Sequence, residues 1–308
     1  MKEIVRTLLV LAILWAGLAV VLGVVLRNAG IGFAWSTRIA ACLGAAGFLF
    51  LTWGAVSLDA PLFGRLANRG PSGCGAVALT FDDGPDPSAT PAVLDLLRRT
   101  ATPATFFLVG RRVLESPLLV RRIRAEGHGL GNHGFAHRPL VFLTPGMIRR
   151  ELDRTDDAIR RAAGARPAFA RLPYGLRGPF TVRAIRERGE TAVGWSLYPG
   201  DALRPSADRI TARVLSRVRP GDILLLHDGG GDRASTVTAL PRILEGLRAK
   251  GLPVVRLEDL LAGRCAEGGP ASAPRRGRAR GSGRGRGSDV LDSQAARPEG
   301  VKAQGSHR

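Results

Sequence analysis

The stretch that most constrains the fold joins an apolar run to two adjacent carboxylates and then to a turn. It covers residues 76–87 and reads AVALTFDDGPDP. A short apolar run bounded by turn residues is typical of a buried strand, so we expect Asp82 and Asp83 at the C-terminal edge of that strand. Because neighbouring side chains of a strand point in opposite directions, the two carboxylates can hold different roles. An ordinary turn is the alternative, since Asp and Gly are common turn formers.

Beyond this stretch, strand and helix patterns alternate along the chain. Thr90-Pro91 and Thr144-Pro145 each match a helix start, with the threonine as N-cap, and Gly164 matches the end of the second of these helices. Such alternation predicts a parallel sheet or barrel. The further predicted strands cover residues 104–109, 168–171, 192–196, 223–226 and 253–255, and the other predicted helices cover residues 91–99, 181–188, 207–218 and 237–250.

Two apolar runs, residues 4–26 and 39–58, precede this region. Each is long enough to cross a hydrocarbon core of about 30 Å as a helix. A signal peptide is the alternative for the first run, but no Ala-x-Ala site follows it. We therefore expect residues 1–58 to form a two-helix transmembrane hairpin and residues 59–75 to be a linker. Small residues would allow close contact between the two helices, namely Gly44, Ala45, Ala46 and Gly47.

The hairpin places both of its ends on one side of a membrane, which we expect to be the bacterial cell membrane. Basic residues favour the side that stays in the cytoplasm. Their distribution leans weakly towards a cytoplasmic catalytic region, with Lys2, Arg6, Arg65 and Arg69 flanking the hairpin against Arg27 and Arg38 in its loop.

The formal net charge of +19 suggests anionic lipid or anionic glycan as partners of a basic surface near a membrane. Residues 264–308 are rich in Gly, Arg, Ser and Pro and predict a disordered tail. Arg-Gly tracts can bind single-stranded nucleic acid, but we favour a solvated tail and expect no specific nucleic-acid partner. The cysteines, Cys42, Cys74 and Cys265, have no metal or redox spacing, and nothing in their pattern predicts a disulfide framework.

Four later segments contain further residues that could bind a metal or take part in catalysis. In residues 131–137, GNHGFAH, two histidines at positions i and i+4 would share a face if the loop were helical, a spacing that suits two ligands of one metal. With Asp83 they would form a set of two histidines and a carboxylate, although such a histidine pair alone is often incidental. In residues 171–175, RLPYG, an arginine in a rigid loop suits pairing with a carboxylate, or it is a surface arginine beside a turn.

The remaining two segments lie nearer the C-terminus. Residues 195–201 read WSLYPGD, and residues 223–229 read ILLLHDG, in which an apolar strand ends at His227. A strand end is a natural place to hold a titratable group in a cleft, whereas a core or turn histidine is the default for such a residue alone.

These segments occur in the order found in the NodB-homology polysaccharide deacetylases, a carbohydrate esterase family that the chain resembles over roughly residues 76–263. The resemblance is strongest from residue 77 to 110, VALTFDDGPDPSATPAVLDLLRRTATPATFFLVG. It implies an α/β fold of the family's irregular (β/α) barrel type. It also implies an N-deacetylase that depends on a divalent metal, expected to be Zn²⁺.

The resemblance also implies roles for individual residues. Asp83, His133 and His137 would be the metal ligands. Asp82 would be the general base, held by Arg171, and His227 the general acid, oriented by Asp201. The backbone N–H of Tyr174 would stabilise the oxyanion, while Leu225 would contact the acetyl methyl group and Trp195 would belong to the substrate site.

The sequence departs from the family pattern at four positions. Gly134 stands where Ser or Thr is usual, which would remove a hydroxyl that braces the histidine loop. Leu172 replaces a second Pro. Tyr198 replaces a frequent Asp, and Ala202 replaces a Trp that helps to wall the substrate groove. The altered wall bears on substrate preference more than on catalysis.

The sequence thus predicts a membrane-anchored hydrolase that removes N-acetyl groups from amino sugars of the N-acetylglucosamine type in a glycan. One alternative is deacylation of a lipid-linked sugar at the membrane surface. The other is a non-catalytic glycan-binding module that keeps the fold. The family's polymer substrates usually lie outside the cell, so the side of the membrane on which the catalytic region lies stays open.

Overall fold

The computed structural model describes residues 2–265, with side chains from residue 13 onward. Apart from Arg264 and Cys265, the segment predicted to be a disordered tail lies outside the described residues.

The centre of the fold is a half-barrel of seven parallel strands, as the alternating pattern predicts. The strands pair in the order β5-β4-β3-β2-β1-β6, and β7 pairs with β1. All the pairings between these strands are parallel, so their C-terminal ends meet at one edge. The strands are β1 (Val77–Asp82), β2 (Thr105–Leu108), β3 (Gly129–Asn132), β4 (Phe169–Ala170), β5 (Thr191–Ala192), β6 (Ile223–His227) and β7 (Val254–Val255).

Ten α-helices are present in the described part of the chain. They are α1 (Lys2–Asn28), α2 (Phe33–Val56), α3 (Thr90–Arg99), α4 (Gly110–Glu115), α5 (Pro117–Ala125), α6 (Pro145–Ala163), α7 (Thr181–Arg186), α8 (Ala207–Leu215), α9 (Ala234–Ala249) and α10 (Leu257–Leu261). The main core lies between the sheet and the helices, and β1 is buried along its whole length, as expected for a central parallel strand.

The two predicted helix starts differ in outcome. Thr144 caps α6 by accepting a hydrogen bond from the Met147 backbone N–H at 3.4 Å, and Gly164 ends the helix in the left-handed conformation with φ 71°, as expected. The prediction for Thr90 is wrong, because Ala89 occupies the N-cap of α3. The Thr90 hydroxyl instead donates a hydrogen bond to the buried Asp228 carboxylate at 2.6 Å. The side chain that the local pattern predicts as a helix cap therefore makes a tertiary contact.

Strand β3 and helices α4 and α5 were not predicted from the sequence. Strand β3 contains Gly129 and Gly131, and glycine is a poor strand former. The structure explains the second glycine: a Cβ at Gly131 would lie 2.4 Å from the Phe107 ring of the neighbouring strand. Tertiary packing therefore makes this segment a strand although its two glycines disfavour one.

Helices α1 and α2 pack against each other through small residues, as predicted. A Cβ at Gly44 would lie 2.9 Å from the Ala19 Cβ, and one at Gly47 would lie 2.6 Å from the Trp15 ring. Among the described side chains, α2 is the one helix long and apolar enough to cross a membrane, with a mean hydropathy of 1.9, and the described apolar part of α1 is shorter, at Ile13–Asn28. The fold therefore supplies one candidate membrane helix, and a second span stays a prediction.

A buried arginine ties the end of α2 to the sheet domain. Arg177 is 0% exposed. Its backbone N–H donates to the carbonyl of Ala55 at 3.0 Å, and its guanidinium donates to the carbonyls of Ser57, Ala60 and Gly64. Ala55 and Ser57 lie at the C-terminus of the helix, where unpaired carbonyl groups and the helix dipole favour a cation, and Ala60 and Gly64 belong to the segment that follows.

Residues 59–75 are joined to the sheet domain at both sides of the open half-barrel. Isolated bridges pair Ala67 with Val193, next to β5, and Arg69 with Asp222, next to β6. The segment also carries Cys74, which forms a disulfide with Cys265, with their Cα atoms 5.3 Å apart.

This disulfide corrects the expectation from the cysteine pattern. The two cysteines are separated by 191 residues, and nothing in their spacing pairs them. They meet because β7 returns to pair with β1, which begins three residues after Cys74. Only the tertiary fold brings these sulfur atoms together.

Candidate active site

The predicted functional residues converge at the C-terminal edge of the half-barrel. A pocket of about 300 Å³ lies there, and its lining includes eight of the ten residues to which the resemblance gives a role: Asp82, Asp83, His133, His137, Tyr174, Trp195, Leu225 and His227. The other two, Arg171 and Asp201, are buried and hydrogen-bond Asp82 and His227. Parallel strands that end together explain why residues distant in sequence meet in this pocket.

Asp83, His133 and His137 form a compact set of potential metal ligands. One ligand atom from each residue lies within 4.8 Å of the other two. The Asp83 Oδ1 atom is 3.0 Å from the His137 Nε2 atom and 3.6 Å from the His133 Nε2 atom. Asp83 has φ 73°, a left-handed conformation rare for a residue with a side chain, which indicates that the surrounding structure enforces its orientation.

The protonation of these groups suits a cation. Burial alone would raise the pKa of Asp83, but the hydrogen bond from His137 and the charges of His137, His133 and His227 outweigh it, so the pKa is held well below its usual range. Burial lowers the pKa of His133, partly offset by Asp82. A carboxylate beside a neutral imidazole is the form in which both residues bind metals.

The hydrogen bond of the His133 ring also fixes which ring nitrogen faces Asp83. Its Nδ1 atom lies 2.9 Å from the carbonyl of Arg171, so in the neutral ring Nδ1–H donates to that oxygen and the Nε2 lone pair points to Asp83. The buried Asp83 Oδ1 atom faces the two histidine Nε2 atoms, at 3.0 and 3.6 Å. An oriented imidazole and a buried carboxylate oxygen that faces two imidazole nitrogens fit a divalent cation with two nitrogen ligands and one oxygen ligand.

The i, i+4 spacing of the two histidines would place them on one face of a helix, but the loop that carries them is not helical. The rings nevertheless meet with centroids 5.0 Å apart, because Gly134 and His137 both adopt positive φ values, 75° and 53°. The turn, rather than one helical face, brings the two histidine rings together.

Two side chains not named in the sequence analysis brace this loop. The Asn132 Oδ1 atom accepts the Gly134 N–H at 2.9 Å. One carboxylate oxygen of Glu151, on α6, accepts the N–H groups of Phe135 and Ala136 at 3.0 and 2.9 Å. The missing hydroxyl at position 134 therefore leaves the loop well held. A glutamate with its carboxylate turned to a distant loop has no local sequence signature, so it was missed.

On one side of the histidine set, Asp82 is paired with Arg171. The Arg171 guanidinium donates to Asp82 at 2.6 Å, to the Thr80 hydroxyl at 2.9 Å and to the Gly194 carbonyl at 2.8 Å. The second carboxylate oxygen of Asp82 lies 3.6 Å from the His133 Nε2 atom. Asp82 is thus a buried carboxylate directed towards the proposed ligands and placed to accept a proton there.

On the other side, His227 is held by Asp201. The Asp201 carboxylate lies 3.0 Å from the His227 Nδ1 atom, accepts the His227 backbone N–H at 2.8 Å, and accepts the Thr236 hydroxyl at 3.0 Å. Burial alone would lower the pKa of His227, but the hydrogen bond and charge of Asp201, and then the charges of Asp83 and Asp82, outweigh it and raise the pKa. The raised pKa makes His227 a stronger candidate for a proton donor at neutral pH.

Two of the positions that depart from the family pattern lie in the wall of the pocket. Tyr198 and Ala202 line the pocket, and Leu203, which was not named from the sequence, completes that part of the wall at 77% exposure. Burial and the charge of Asp201 raise the pKa of Tyr198 to about 12, so its hydroxyl stays protonated. Tyr174 has φ 62° and packs its ring against His137, with centroids 4.6 Å apart.

Fold and site together define a class of protein, a parallel α/β hydrolase with a histidine–carboxylate group able to hold a metal ion. Comparison with known proteins gives the family. The family model described as "Polysaccharide deacetylase" matches residues 69–193. The chitooligosaccharide deacetylase of Bradyrhizobium sp. (strain ANU 289) is 40% identical over 213 residues, which cover 65% of this chain and 97% of that protein.

Two solved structures extend the comparison. A peptidoglycan N-acetylglucosamine deacetylase matches with a TM-score of 0.63 and 37% identity, over 64% of this chain and 92% of that one. A CE4 family pseudoenzyme from Bacillus anthracis matches with a TM-score of 0.60 and 27% identity, over 63% of this chain and 68% of that one. The chain belongs to the polysaccharide deacetylase family, the metal-dependent carbohydrate esterase family 4 hydrolases that cleave N-acetyl amide bonds of sugars.

Proposed function

We propose that this protein is a membrane-anchored, metal-dependent deacetylase that removes N-acetyl groups from N-acetylglucosamine-type sugars of a glycan. One observation carries the proposal: a single pocket holds Asp83, His133 and His137 between a carboxylate paired with an arginine and a histidine paired with a carboxylate. Hydrolysis of an amide needs both a base for the attacking water and an acid for the leaving amine. The pocket supplies a candidate for each.

We propose that Asp83, His133 and His137 hold the metal and that it is Zn²⁺. Two imidazole nitrogens and one carboxylate oxygen are a donor set that zinc accepts, leaving coordination positions for water and substrate. When bound, such an ion polarises a carbonyl and makes water more acidic.

The residues around this set have separate tasks in the proposed reaction. Asp82 accepts the proton of the attacking water, and Arg171 keeps that carboxylate ionised and oriented. The Tyr174 backbone N–H donates to the oxyanion, an interaction worth about 3 kcal/mol when well placed. His227 protonates the departing amine nitrogen, and Asp201 favours the imidazolium that it needs to do so. Leu225 and Trp195 line the pocket that would receive the acetyl group and the sugar.

A non-catalytic glycan-binding module is the alternative from a different class, and the pseudoenzyme relative shows that this fold alone does not guarantee catalysis. The low pKa of Asp83 and the raised pKa of His227 favour an enzyme. A module that only binds a neutral sugar has no need of two buried charged pairs, each of which is costly to desolvate.

Two apolar helices would anchor the enzyme in the membrane. The described parts of α1 and α2 leave large apolar side chains exposed, including Leu18, Val21, Val25, Leu43, Leu49 and Phe50. A surface of this kind is unfavourable in water and fits a hydrocarbon surrounding. Two spans remain the proposed arrangement.

We propose that the catalytic domain lies on the oxidising side of that membrane. The Cys74–Cys265 disulfide supports this side, since disulfides persist in extracytoplasmic compartments and are rare in the cytoplasm. The distribution of Lys and Arg leans the other way, but only by a few residues. A thiol-alkylation gel shift on protein from intact cells tests the side on which the catalytic domain lies. If the domain is outside, Cys74 and Cys265 should react with the alkylating reagent only after reduction. Reaction of both cysteines without reduction would place the domain in the cytoplasm.

The function is tested by acetate release from a substrate panel. Purified full-length protein, loaded with Zn²⁺, should release acetate from an N-acetylglucosamine oligosaccharide and leave a free amine on the sugar. Binding of the oligosaccharide without acetate release, under any of the divalent metals tested, would favour the glycan-binding module instead.

A further inference from the structure

A second cavity adjoins the catalytic pocket and begins at the end of α2. It is a groove of about 890 Å³, against about 300 Å³ for the pocket. Trp195 and Tyr198 line both cavities, so they form a shared wall. Leu58 and Asp59 line the groove as well, and they follow directly on α2, which ends at Val56. A ligand in this groove would reach from the end of the candidate membrane helix to the catalytic pocket.

The position of this groove relative to α2 is fixed by the packing already described. Arg177 binds the carbonyls at and after the end of the helix, and Asn68 donates to the Leu58 carbonyl at 2.8 Å and to Asp59 at 3.2 Å. The stretch between helix and groove is therefore held by hydrogen bonds rather than by apolar contact alone.

The groove carries more positive than negative charge. Three arginines line it, Arg69, Arg217 and Arg219, against two carboxylates, Asp59 and Asp222. The Asp222 carboxylate is paired: it binds Arg69 at 2.7 Å, the Ser196 hydroxyl at 2.6 Å and the Arg219 backbone N–H at 2.7 Å. The Asp59 carboxylate accepts a hydrogen bond from the Asn68 amide at 3.2 Å. The side chains of Arg217 and Arg219 are exposed, and within residues 13–265 neither guanidinium forms an ion pair. Two such cations in a groove suit an anionic ligand.

The chemistry of the groove indicates a phosphate that is attached to a sugar. Arginine guanidinium groups match phosphate oxygens with paired, charge-assisted hydrogen bonds. The aromatic shared wall of Trp195 and Tyr198 leads from the groove to the site where an acetamide would react.

We propose that this groove binds the diphosphate of a lipid-linked N-acetylated saccharide, with the lipid in the membrane beside α2 and the sugar in the catalytic pocket. The proposal rests on the deacetylase function and names the substrate class for the same site. The groove lies between the candidate membrane helix and the proposed catalytic residues. A diphosphate that joins a lipid in the membrane to a sugar in the pocket would have to lie in the same place.

The test compares one double variant with a matched control on three substrates. Arg217→Glu/Arg219→Glu reverses two charges in the groove. Arg99→Glu/Arg124→Glu makes the same change in net charge at exposed residues that line neither cavity. The substrates are a neutral N-acetylglucosamine oligosaccharide, the same saccharide as a soluble diphosphate, and the saccharide linked through diphosphate to a polyprenyl chain in detergent micelles.

We expect the groove variant to lose about tenfold or more in kcat/KM on the lipid-linked substrate, mainly through KM, a change of about 1.4 kcal/mol. Its activity on the neutral oligosaccharide should stay within about twofold of wild type, and the control variant should match wild type on all three substrates. An equal loss on the soluble diphosphate would support the site and assign recognition to the phosphate itself. Unchanged activity on both phosphorylated substrates, or an equal loss on the neutral one, would overturn the proposal.

A binding measurement separates this proposal from the deacetylase function. Calorimetry with inorganic pyrophosphate on the metal-free, full-length protein needs no turnover and no bound metal. We expect binding by wild type and by the Arg99/Arg124 control and its loss in the groove variant. If no substrate releases acetate, the proposed function fails while this result still decides the groove. Absence of pyrophosphate binding by wild type would count against the groove.

Discussion

Two buried arginines six residues apart do different work in this molecule. Arg171 and Arg177 are 1% and 0% exposed, and burial lowers the pKa of both. Arg171 binds the Asp82 carboxylate in the catalytic pocket, whereas Arg177 donates to backbone carbonyls after α2. Burial of an arginine therefore does not by itself identify a catalytic group. The two arginines differ in their partners: Arg171 binds a carboxylate beside the proposed metal ligands, and Arg177 binds carbonyls at and after the end of α2.

The largest effect should follow from separating Arg171 from Asp82. Arg171→Met should lower kcat/KM on an N-acetylated oligosaccharide on the order of 10²–10⁴-fold, the usual contribution of general-base catalysis, because Asp82 loses the partner that orients it. Metal content should be unchanged, since Arg171 is not a proposed ligand. Acetate release and metal analysis measure both, and turnover within about threefold of wild type would contradict the assignment.

A double variant sharpens the same point. Removing one partner of a buried ion pair costs about 3–5 kcal/mol because the other charge stays buried alone. Asp82→Asn/Arg171→Met should therefore unfold at a higher temperature than Arg171→Met, while being no less active than the worse single variant. A melting temperature for the double variant below that of Arg171→Met would show that the pair is not the source of the cost.

The next effect separates the base from the acid. His227→Ala and Asp82→Asn should both bind metal and both be slow on the amide. An activated ester has a good leaving group and needs little protonation, so His227→Ala should recover much of its relative activity on that ester. Asp82→Asn should not recover, because water attack still needs a base. Equal defects of the two variants on amide and ester would remove this division of labour.

A smaller effect concerns the partner of His227. Because Asp201 raises the pKa of His227, the proton donor stays charged to higher pH, and activity should fall as pH rises through that raised pKa. Asp201→Asn removes the negative charge, so the alkaline limb of the kcat profile should move to lower pH. The matched variant Thr236→Val removes only a hydroxyl that donates a hydrogen bond to Asp201, and it should shift the alkaline limb less. An alkaline limb that stays in place in Asp201→Asn would assign it to another group.

The smallest effect on catalysis should come from Arg177. Arg177→Met should keep kcat/KM on a soluble oligosaccharide within about twofold of wild type. It should lower stability, because each buried carbonyl left without a donor costs about 1–3 kcal/mol. Thermal unfolding and limited proteolysis of residues 57–66 in detergent measure this, and a loss of activity as large as that of Arg171→Met would erase the contrast between the two arginines.

The same contrast shows what the sequence could predict. Arg171 belongs to a segment whose order with the others identifies the family, and the half-barrel then brings its side chain to Asp82. Arg177, Glu151 and the Cys74–Cys265 pair have no local pattern, because each acts on a partner that only the tertiary fold brings near. The histidine loop lies between these cases: the sequence placed His133 and His137 together, but positive φ values rather than a helix bring their rings close.

Metal dependence of the proposed site is tested by acetate release from the full-length protein before and after removal of metal. We predict that a chelator abolishes release from an N-acetylglucosamine oligosaccharide and that Zn²⁺ restores it in wild type. In Asp83→Ala, His133→Ala and His137→Ala, bound metal should be largely lost and Zn²⁺ should restore nearly nothing, while far-UV circular dichroism confirms that they fold. Release that survives complete removal of metal, or a ligand variant that keeps full metal content and turnover, would contradict the metal-dependent site.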